Sequence, residues 1–312
     1  MPRTDAIIFE QPGRIALAAT GLKTVETCEA LIEIEVSGIS TGTERLLFTG
    51  EMPPFPGMGY PLVPGYEAVG RVVESRAEDR IAPGTRVFVP GSHGFTEAHG
   101  LFGAQASHLV ARTDRLVPVP AGSGDDAVLL ALAATAHHAV AAGETLPELI
   151  VGHGVLGRLA ARLCRALGAA PTVWETNEAR QAGADAYTVV DPGEDERRDY
   201  RSILDVSGDA GILDTLIGRT ARGGEIVLAG FYKAPLSFVF PPAFMRETRL
   251  RIAAEWAPGD MDSVLALIAD GRLSLGGLVT HRAEPRQAEA AYRTAFEDAD
   301  CLKMIIEWRE GA

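Results

Sequence analysis

Cysteine is scarce: Cys28, Cys164 and Cys301 stand far apart among 312 residues and make no C-x-x-C pair, so their spacing offers no metal knot. Long hydrophobic runs are missing as well. No stretch approaches the ~18 apolar residues of a membrane span, and the start, Met1-Pro2-Arg3-Thr4-Asp5, lacks the apolar centre of a secretion signal. A cytoplasmic protein is the expectation. Positive charge is short too: 29 Lys and Arg against 42 Asp and Glu leave a net charge of −13. No basic stripe is visible, which argues against a nucleic-acid surface or an anionic-membrane patch. The densest charge run, Glu194–Arg201, mixes both signs and reads as a solvated face. Internal repeats and low-complexity segments are also lacking.

What remains is an ordinary globular composition, 46% hydrophobic and 23% charged, long enough for two domains. Residues 1–115 read as short strands punctuated by Gly and Pro, at Ala6–Phe9, Ala30–Ser37, Ala68–Glu74, Arg86–Val89 and Ala106–Ala111, the spacing of a compact β-rich domain. Within them Leu31-Ile32-Glu33-Ile34-Glu35-Val36 alternates with period two, placing isoleucine and glutamate on opposite faces. The segment Gly50–Gly65, with five prolines and four glycines, is expected to be irregular and long enough to shape a cleft. From Asp125 an Ala/Leu helix runs to near Gly143. Strands then follow at Leu149–Val151, Thr172–Trp174, Ala186–Val190, Ile203–Val206, Glu225–Ala229 and Leu250–Ala254, with helices at Arg158–Leu167, Asn177–Gly183 and Ala210–Arg219. Such alternation predicts a doubly wound parallel sheet. Two further helices, Met261–Asp270 and Gln287–Glu297, and a last strand, Leu302–Trp308, read as a return to the first domain.

The most informative segment lies mid-chain. Gly152-His153-Gly154-Val155-Leu156-Gly157 is a G-x-G-x-x-G between an apolar strand and a helix, the setting a dinucleotide turn requires. Gly152 permits the tight turn, Gly154 lets backbone approach a pyrophosphate, and Gly157 allows close packing of helix on strand. The free N–H groups of the helix start face the phosphates. Glu175 ends the next strand, 18 residues after Gly157, where an acidic side chain bonds the ribose hydroxyls. No Lys or Arg follows until Arg180, so the pattern favours NAD over NADP. Ser207 and Gly208 end one later strand and Gly230 and Phe231 another, and ligand-facing residues gather at such carboxyl ends.

Order of domains and local motifs together resemble the medium-chain dehydrogenase/reductase superfamily over essentially the whole chain. Ser37-Gly38-Ile39-Ser40 resembles the S-G-I-C of its zinc alcohol dehydrogenases, Pro64-Gly65-Tyr66-Glu67-Ala68-Val69-Gly70 their P-G-H-E-x-x-G, and Pro83-Gly84-Thr85-Arg86-Val87 their x-G-D-R-V. The resemblance implies an α/β chain with a β-rich GroES-like catalytic domain over 1–120, completed by 260–312, and a Rossmann NAD-binding domain over 121–259. It also implies a homodimer. The departures are informative: Ser40, Tyr66 and Ala131 occupy the three catalytic-zinc positions and the four-cysteine structural lobe is missing. Hydroxyls and an alanine do not make the N/S site zinc prefers, so a zinc-free member is expected. Closer still, Ser37–Arg45 with Gly57–Glu67 resembles the dehydrogenase family of bacteriochlorophyll biosynthesis. That family oxidises the 3-(1-hydroxyethyl) group of bacteriochlorophyllide a to 3-acetyl. A tetrapyrrole substrate rests on that resemblance alone.

Without a metal, proton removal falls to side chains at the vacated zinc site: Ser40, Thr41 and Thr43 through their hydroxyls, Tyr66 on the alcohol oxygen, Glu67 as acceptor directly or through water. The alternative reading has Glu67 bracing the loop and Tyr66 serving as packing. His137 and His138 read as structural residues, and His93 or His99 as loop residues, one of which could approach substrate magnesium. Phe238, Phe240, Phe244 and Trp256 would either line an apolar cleft or belong to the core and a dimer interface. Two other functions fit the sequence: an NADPH-dependent quinone or enone reductase, and a non-catalytic protein that binds dinucleotide or tetrapyrrole.

Overall fold

The computed structural model describes residues 2–54, 56–120 and 122–309. The chain divides into two compact units, Met1–Leu130 with Gly276–Ala312, and Ala131–Leu275.

In the first unit a seven-stranded sheet runs Val279–Ala283, Lys303–Glu307, Glu29–Gly38, Ala68–Ser75, Arg86–Val89 and Val117–Pro118, with His108–Arg112 also paired to Glu29–Gly38. The period-two pattern is realised: Ile32, Ile34 and Val36 are buried while Glu33 is exposed. Glu35 turns outward into three arginines, Arg71 at 2.9 Å, Arg86 at 2.7 Å and Arg309 at 3.0 Å. Those guanidinium groups hold its carboxyl below the usual carboxylate range despite partial burial. A four-stranded sheet of Arg14–Gly21, Arg3–Gln11, Leu62–Val63 and His99–Gly100 lies in the same unit. Among its described residues the expected irregular segment Gly50–Gly65 is interrupted only by the two-residue strand Leu62–Val63.

Residues far apart in sequence share one core. Ile7, Phe9, Ile39, Leu47, Tyr292, Met304 and Ile306 pack together, each large apolar side chain contributing about 1.5–3 kcal/mol on burial. The terminal strand pairs antiparallel with Glu29–Gly38, Ile305 opposite Gly38, which brings Lys303 beneath the Ile39–Ser40 turn.

The second unit holds six parallel strands. Counted in chain order within the unit they lie 3-2-1-4-5-6, the doubly wound order in which ligands sit where the order reverses. That reversal lies between Leu149–Val151 and Tyr200–Asp205. The helix Val155–Ala166 turns Val155, Leu159, Leu163 and Cys164 inward. Cys164 is fully buried, and burial pushes its thiol up to about 12, so it packs as a small apolar residue.

Three sequence expectations shift. The helix expected over Ala210–Arg219 forms only over Leu213–Arg219. An unanticipated helix spans Phe240–Arg246, with Pro241 and Pro242 in its first turn, where the missing N–H groups cost nothing. The boundary expected at 259/260 falls instead at Leu275, because the helix Asp260–Ala269 belongs to the second unit. Its first residue explains this: Asp260 accepts hydrogen bonds from His137 Nδ1 at 2.7 Å and His138 Nδ1 at 3.1 Å. Both histidines are therefore structural.

Candidate functional site

In the second unit the glycine turn has the geometry a dinucleotide needs. Gly152 sits at φ 103°, a conformation open to glycine. A Cβ on Gly157 would lie 1.9 Å from the Gly152 carbonyl oxygen, so only glycine lets the helix start this close to the strand. Around Gly154 the position of a Cβ is open for 4 Å, and Gly154 caps the helix without a side-chain hydrogen bond. Val155 and Leu156 form the first turn. The open backbone and helix N-terminus fit a pyrophosphate.

The other expected neighbours come together at the same edge. A Cβ on Gly152 would touch Ser207 at 3.4 Å, and one on Gly230 would lie 3.0 Å from the Gly208 N. Phe231 follows, half exposed. Glu175 stands at the end of its strand with one oxygen accepting the His153 N–H at 3.0 Å and the other the Asn177 N–H at 2.9 Å. Each oxygen keeps a further lone pair for a ribose hydroxyl. The His153 ring faces inward, its Nδ1 2.6 Å from the Arg180 carbonyl oxygen and its Nε2 2.8 Å from the Tyr187 hydroxyl.

In the first unit, three of the expected residues form a hydroxyl cluster. Ser40 follows the strand Glu29–Gly38 and precedes the helix Thr43–Thr49. Its Oγ lies 2.6 Å from the Tyr66 hydroxyl, and the Thr43 side chain is near enough to favour ionisation of that hydroxyl. Phe102 meets the Tyr66 ring edge-on at 5.6 Å. Burial first, then the Glu67 charge, raises the Tyr66 phenol above its ordinary range. The cluster is therefore neutral and can donate or relay protons. Its donors are hydroxyls rather than the N and S ligands zinc prefers, and among the described residues no three His, Cys, Asp or Glu side chains are grouped to hold a metal.

Glu67 is placed differently from its hydroxyl neighbours. It is fully buried, with Lys303 Nζ at 2.8 and 3.0 Å from its two oxygens. The same Nζ donates to the Ile39 carbonyl oxygen at 3.0 Å, so the pair braces the turn that carries Ser40. Behind the turn, Glu44 accepts the Ser40 N–H at 2.8 Å and the Tyr292 hydroxyl. Burial drives Glu44 up to about 8, with the Glu67 charge adding to the rise and Lys303 opposing it. Because the folded-state value lies above the unfolded one, Glu44 contributes stability that is complete below about pH 4.5 and is lost as pH rises toward about 8. The melting temperature is expected to fall by several degrees from pH 5 to pH 8, and Glu44→Gln to flatten that slope. An unchanged slope in the variant would contradict the assignment.

Lys303, Glu44, Tyr292, Arg158 and Tyr187 were not singled out by sequence. A lysine opening an otherwise apolar strand, Lys303-Met304-Ile305-Ile306, is the one visible signal. Of the other histidines, His93 Nδ1 lies 2.8 Å from the Gly100 carbonyl oxygen, and His99 is exposed, with its ring against Gly59. Phe238, Phe240 and Phe244 are exposed rather than part of the core.

Comparison with known proteins agrees with this architecture. The alcohol dehydrogenase GroES-like domain model matches residues 26–121. The chain is 54% identical to the 2-desacetyl-2-hydroxyethyl bacteriochlorophyllide A dehydrogenase of Cereibacter sphaeroides, over 99% of this chain and 100% of that one. To the protein of the same name from Rhodobacter capsulatus it is 52% identical, over 98% and 99%. Among solved structures, L-idonate 5-dehydrogenase from Escherichia coli superposes with a TM-score of 0.85, covering 98% of each chain at 19% identity, a likeness of fold.

Proposed function

Because this chain belongs to the family of the 2-desacetyl-2-hydroxyethyl bacteriochlorophyllide A dehydrogenases, within the medium-chain dehydrogenase/reductase superfamily, we propose that it oxidises the hydroxyethyl side chain of a bacteriochlorophyllide to acetyl in bacteriochlorophyll biosynthesis, with NAD as hydride acceptor and without catalytic zinc. The observation that carries the zinc-free part is the hydrogen-bonded Ser40–Tyr66 hydroxyl pair, at two of the three positions where zinc members carry metal ligands.

Bound NAD supplies the acceptor carbon for the hydride. The glycine turn, Val155, Leu156 and the helix start would hold its pyrophosphate, Glu175 its ribose, and Ser207, Gly208, Gly230 and Phe231 would flank it. Tyr66 bonds the substrate oxygen. As the carbinol C–H bond breaks and the hydride leaves, the alcohol proton moves to the Tyr66 oxygen. The phenol proton moves on through Ser40 or Thr43 to water. Reaction of one alcohol and one NAD thus yields ketone, NADH and a released proton. Glu67 enters this reading as a positioning residue, paired with Lys303, and not as the acceptor.

The carboxylate of Glu175 favours two ribose hydroxyls and repels a 2′-phosphate. Glu175→Ala is expected to raise the KM for NAD about tenfold, the loss of charge-assisted hydrogen bonds, while improving relative use of NADP. Initial rates with both cofactors check this. A wild-type preference for NADP would sink the cofactor assignment.

We read the protein as a homodimer. The edge strand Arg249–Ile252 presents Leu250 and Ile252, the latter 68% exposed, and the neighbouring helix presents Phe240, Phe244 and Met245. An unpaired edge with this much apolar surface calls for a partner, and a second copy extends the sheet. Light scattering that shows a monomer would refute it. A cytoplasmic location belongs to the same reading: no helix among the described residues is long and apolar enough to cross a membrane, and the three thiols are free.

A further inference from the structure

Directly after the third glycine of the turn stands Arg158, 6% exposed. A buried guanidinium needs acceptors for its N–H groups. Here they are backbone carbonyls: Nε donates to His153 at 3.0 Å, one terminal nitrogen to Gly183 at 3.3 Å, and the other to Arg180 at 2.9 Å and Ala182 at 2.8 Å. His153 works from the opposite side. A carbonyl oxygen only accepts, so Nδ1 carries the proton that goes to Arg180, and the neutral ring's Nε2 then accepts from Tyr187. Arg180 is thus held twice, and the residues from Arg180 to Gly183 are tied to the glycine turn.

What that tie supports is the acidic end of the cradle. The helix Glu178–Gln181 has four residues, too short to stand alone. It opens at Asn177, whose N–H holds Glu175, and closes at Gln181, whose amide donates to the Glu175 carbonyl oxygen at 2.9 Å. Glu175 therefore owes its position to a segment that Arg158 and His153 hold in place.

We infer that Arg158 and His153 are positioning residues for the adenosine half of the dinucleotide, acting as a clamp that sets Glu175 in place before the cofactor arrives. The inference rests on the dinucleotide reading above. It accounts for an arginine in the first turn of a phosphate-facing helix that spends its hydrogen bonds on the protein. Lysine, a single point of three donors, cannot replace a fork that reaches four carbonyls.

The test is calorimetric titration of the full-length protein with NAD and, separately, with AMP as a probe of the adenosine half, in wild type, Arg158→Lys, Arg158→Gln and Tyr187→Phe. Loss of hydrogen bonds from a charged group predicts that Arg158→Gln weakens NAD and AMP alike by about tenfold or more. Arg158→Lys should fall between, and Tyr187→Phe should lose a few-fold. In turnover the loss appears in the KM for NAD and not in kcat. If Arg158→Gln does not fold, the other two variants carry the comparison. Unchanged AMP affinity in folded Arg158→Lys and Tyr187→Phe overturns the inference, as does a fall in kcat with affinity retained. A wild-type preference for NADP would contradict the cofactor assignment alone, and the same variants titrated with AMP would still decide the clamp.

Discussion

Tyr66→Phe is expected to lower kcat for alcohol oxidation about 10²–10³-fold, the range associated with a positioned proton-transfer and hydrogen-bonding group, while leaving the KM for NAD unchanged. The phenol lies 2.6 Å from the Ser40 hydroxyl, and in the proposed mechanism it is both the contact to the substrate oxygen and the entry to the proton route. Removing its hydroxyl breaks both functions while preserving the ring that packs against Phe102. Ser40→Ala should cost less, because Thr43 leaves a second exit. Burial and the charge of Glu67 hold the phenol neutral, so the rate profile should show no phenol titration between about pH 6 and pH 10. Steady-state kinetics decide the point: a Tyr66→Phe enzyme with near-normal kcat would remove Tyr66 from the mechanism.

The largest expected effect on stability comes from Lys303→Met. Removing one partner of a buried ion pair typically costs about 3–5 kcal/mol because the other charge is left uncompensated, and Glu67 and Lys303 are 0% and 2% exposed. The same change releases the Ile39 carbonyl and with it the turn that carries Ser40. Lys303→Met/Glu67→Leu should recover most of the loss, since replacing both charges by apolar groups is often near neutral. Denaturant unfolding of the single and double variants measures this. A double variant no more stable than the single one would show that the pair is not the unit of stability.

Legibility in the sequence followed distance along the chain. The glycine turn, its strand and Glu175 lie within one strand-turn-helix-strand stretch, and each glycine has a local steric reason that a pattern exposes. Ser40, Thr43 and Tyr66 were placed by their positions in two motifs, and the structure joins them. What was hidden depends on long-range partners. Lys303 meets Glu67 across 236 positions and Tyr292 meets Glu44 across 248, and neither residue carries a local signal of its partner. Glu67 read as a candidate acceptor because its lysine could not be seen. Arg158 reads on sequence as one polar residue on a helix. The Phe240–Arg246 helix was obscured by its own prolines, which are permitted in a first turn but discourage a helical reading. The domain boundary moved because Asp260 binds two histidines more than a hundred residues upstream.

The proposed reaction is NAD-dependent oxidation of a hydroxyethyl tetrapyrrole by a hydroxyl cluster without zinc. Absorbance spectroscopy tests it most directly, with purified protein stripped of metal by a chelator and checked for residual zinc. Hydroxyethyl bacteriochlorophyllide a and NAD are added, and the pigment band and reduced nicotinamide are followed together. Acetyl pigment and NADH are expected to form in equal amounts at a rate that added zinc does not change. Activity that disappears on stripping and returns with zinc, or binding of both ligands without turnover, would contradict it.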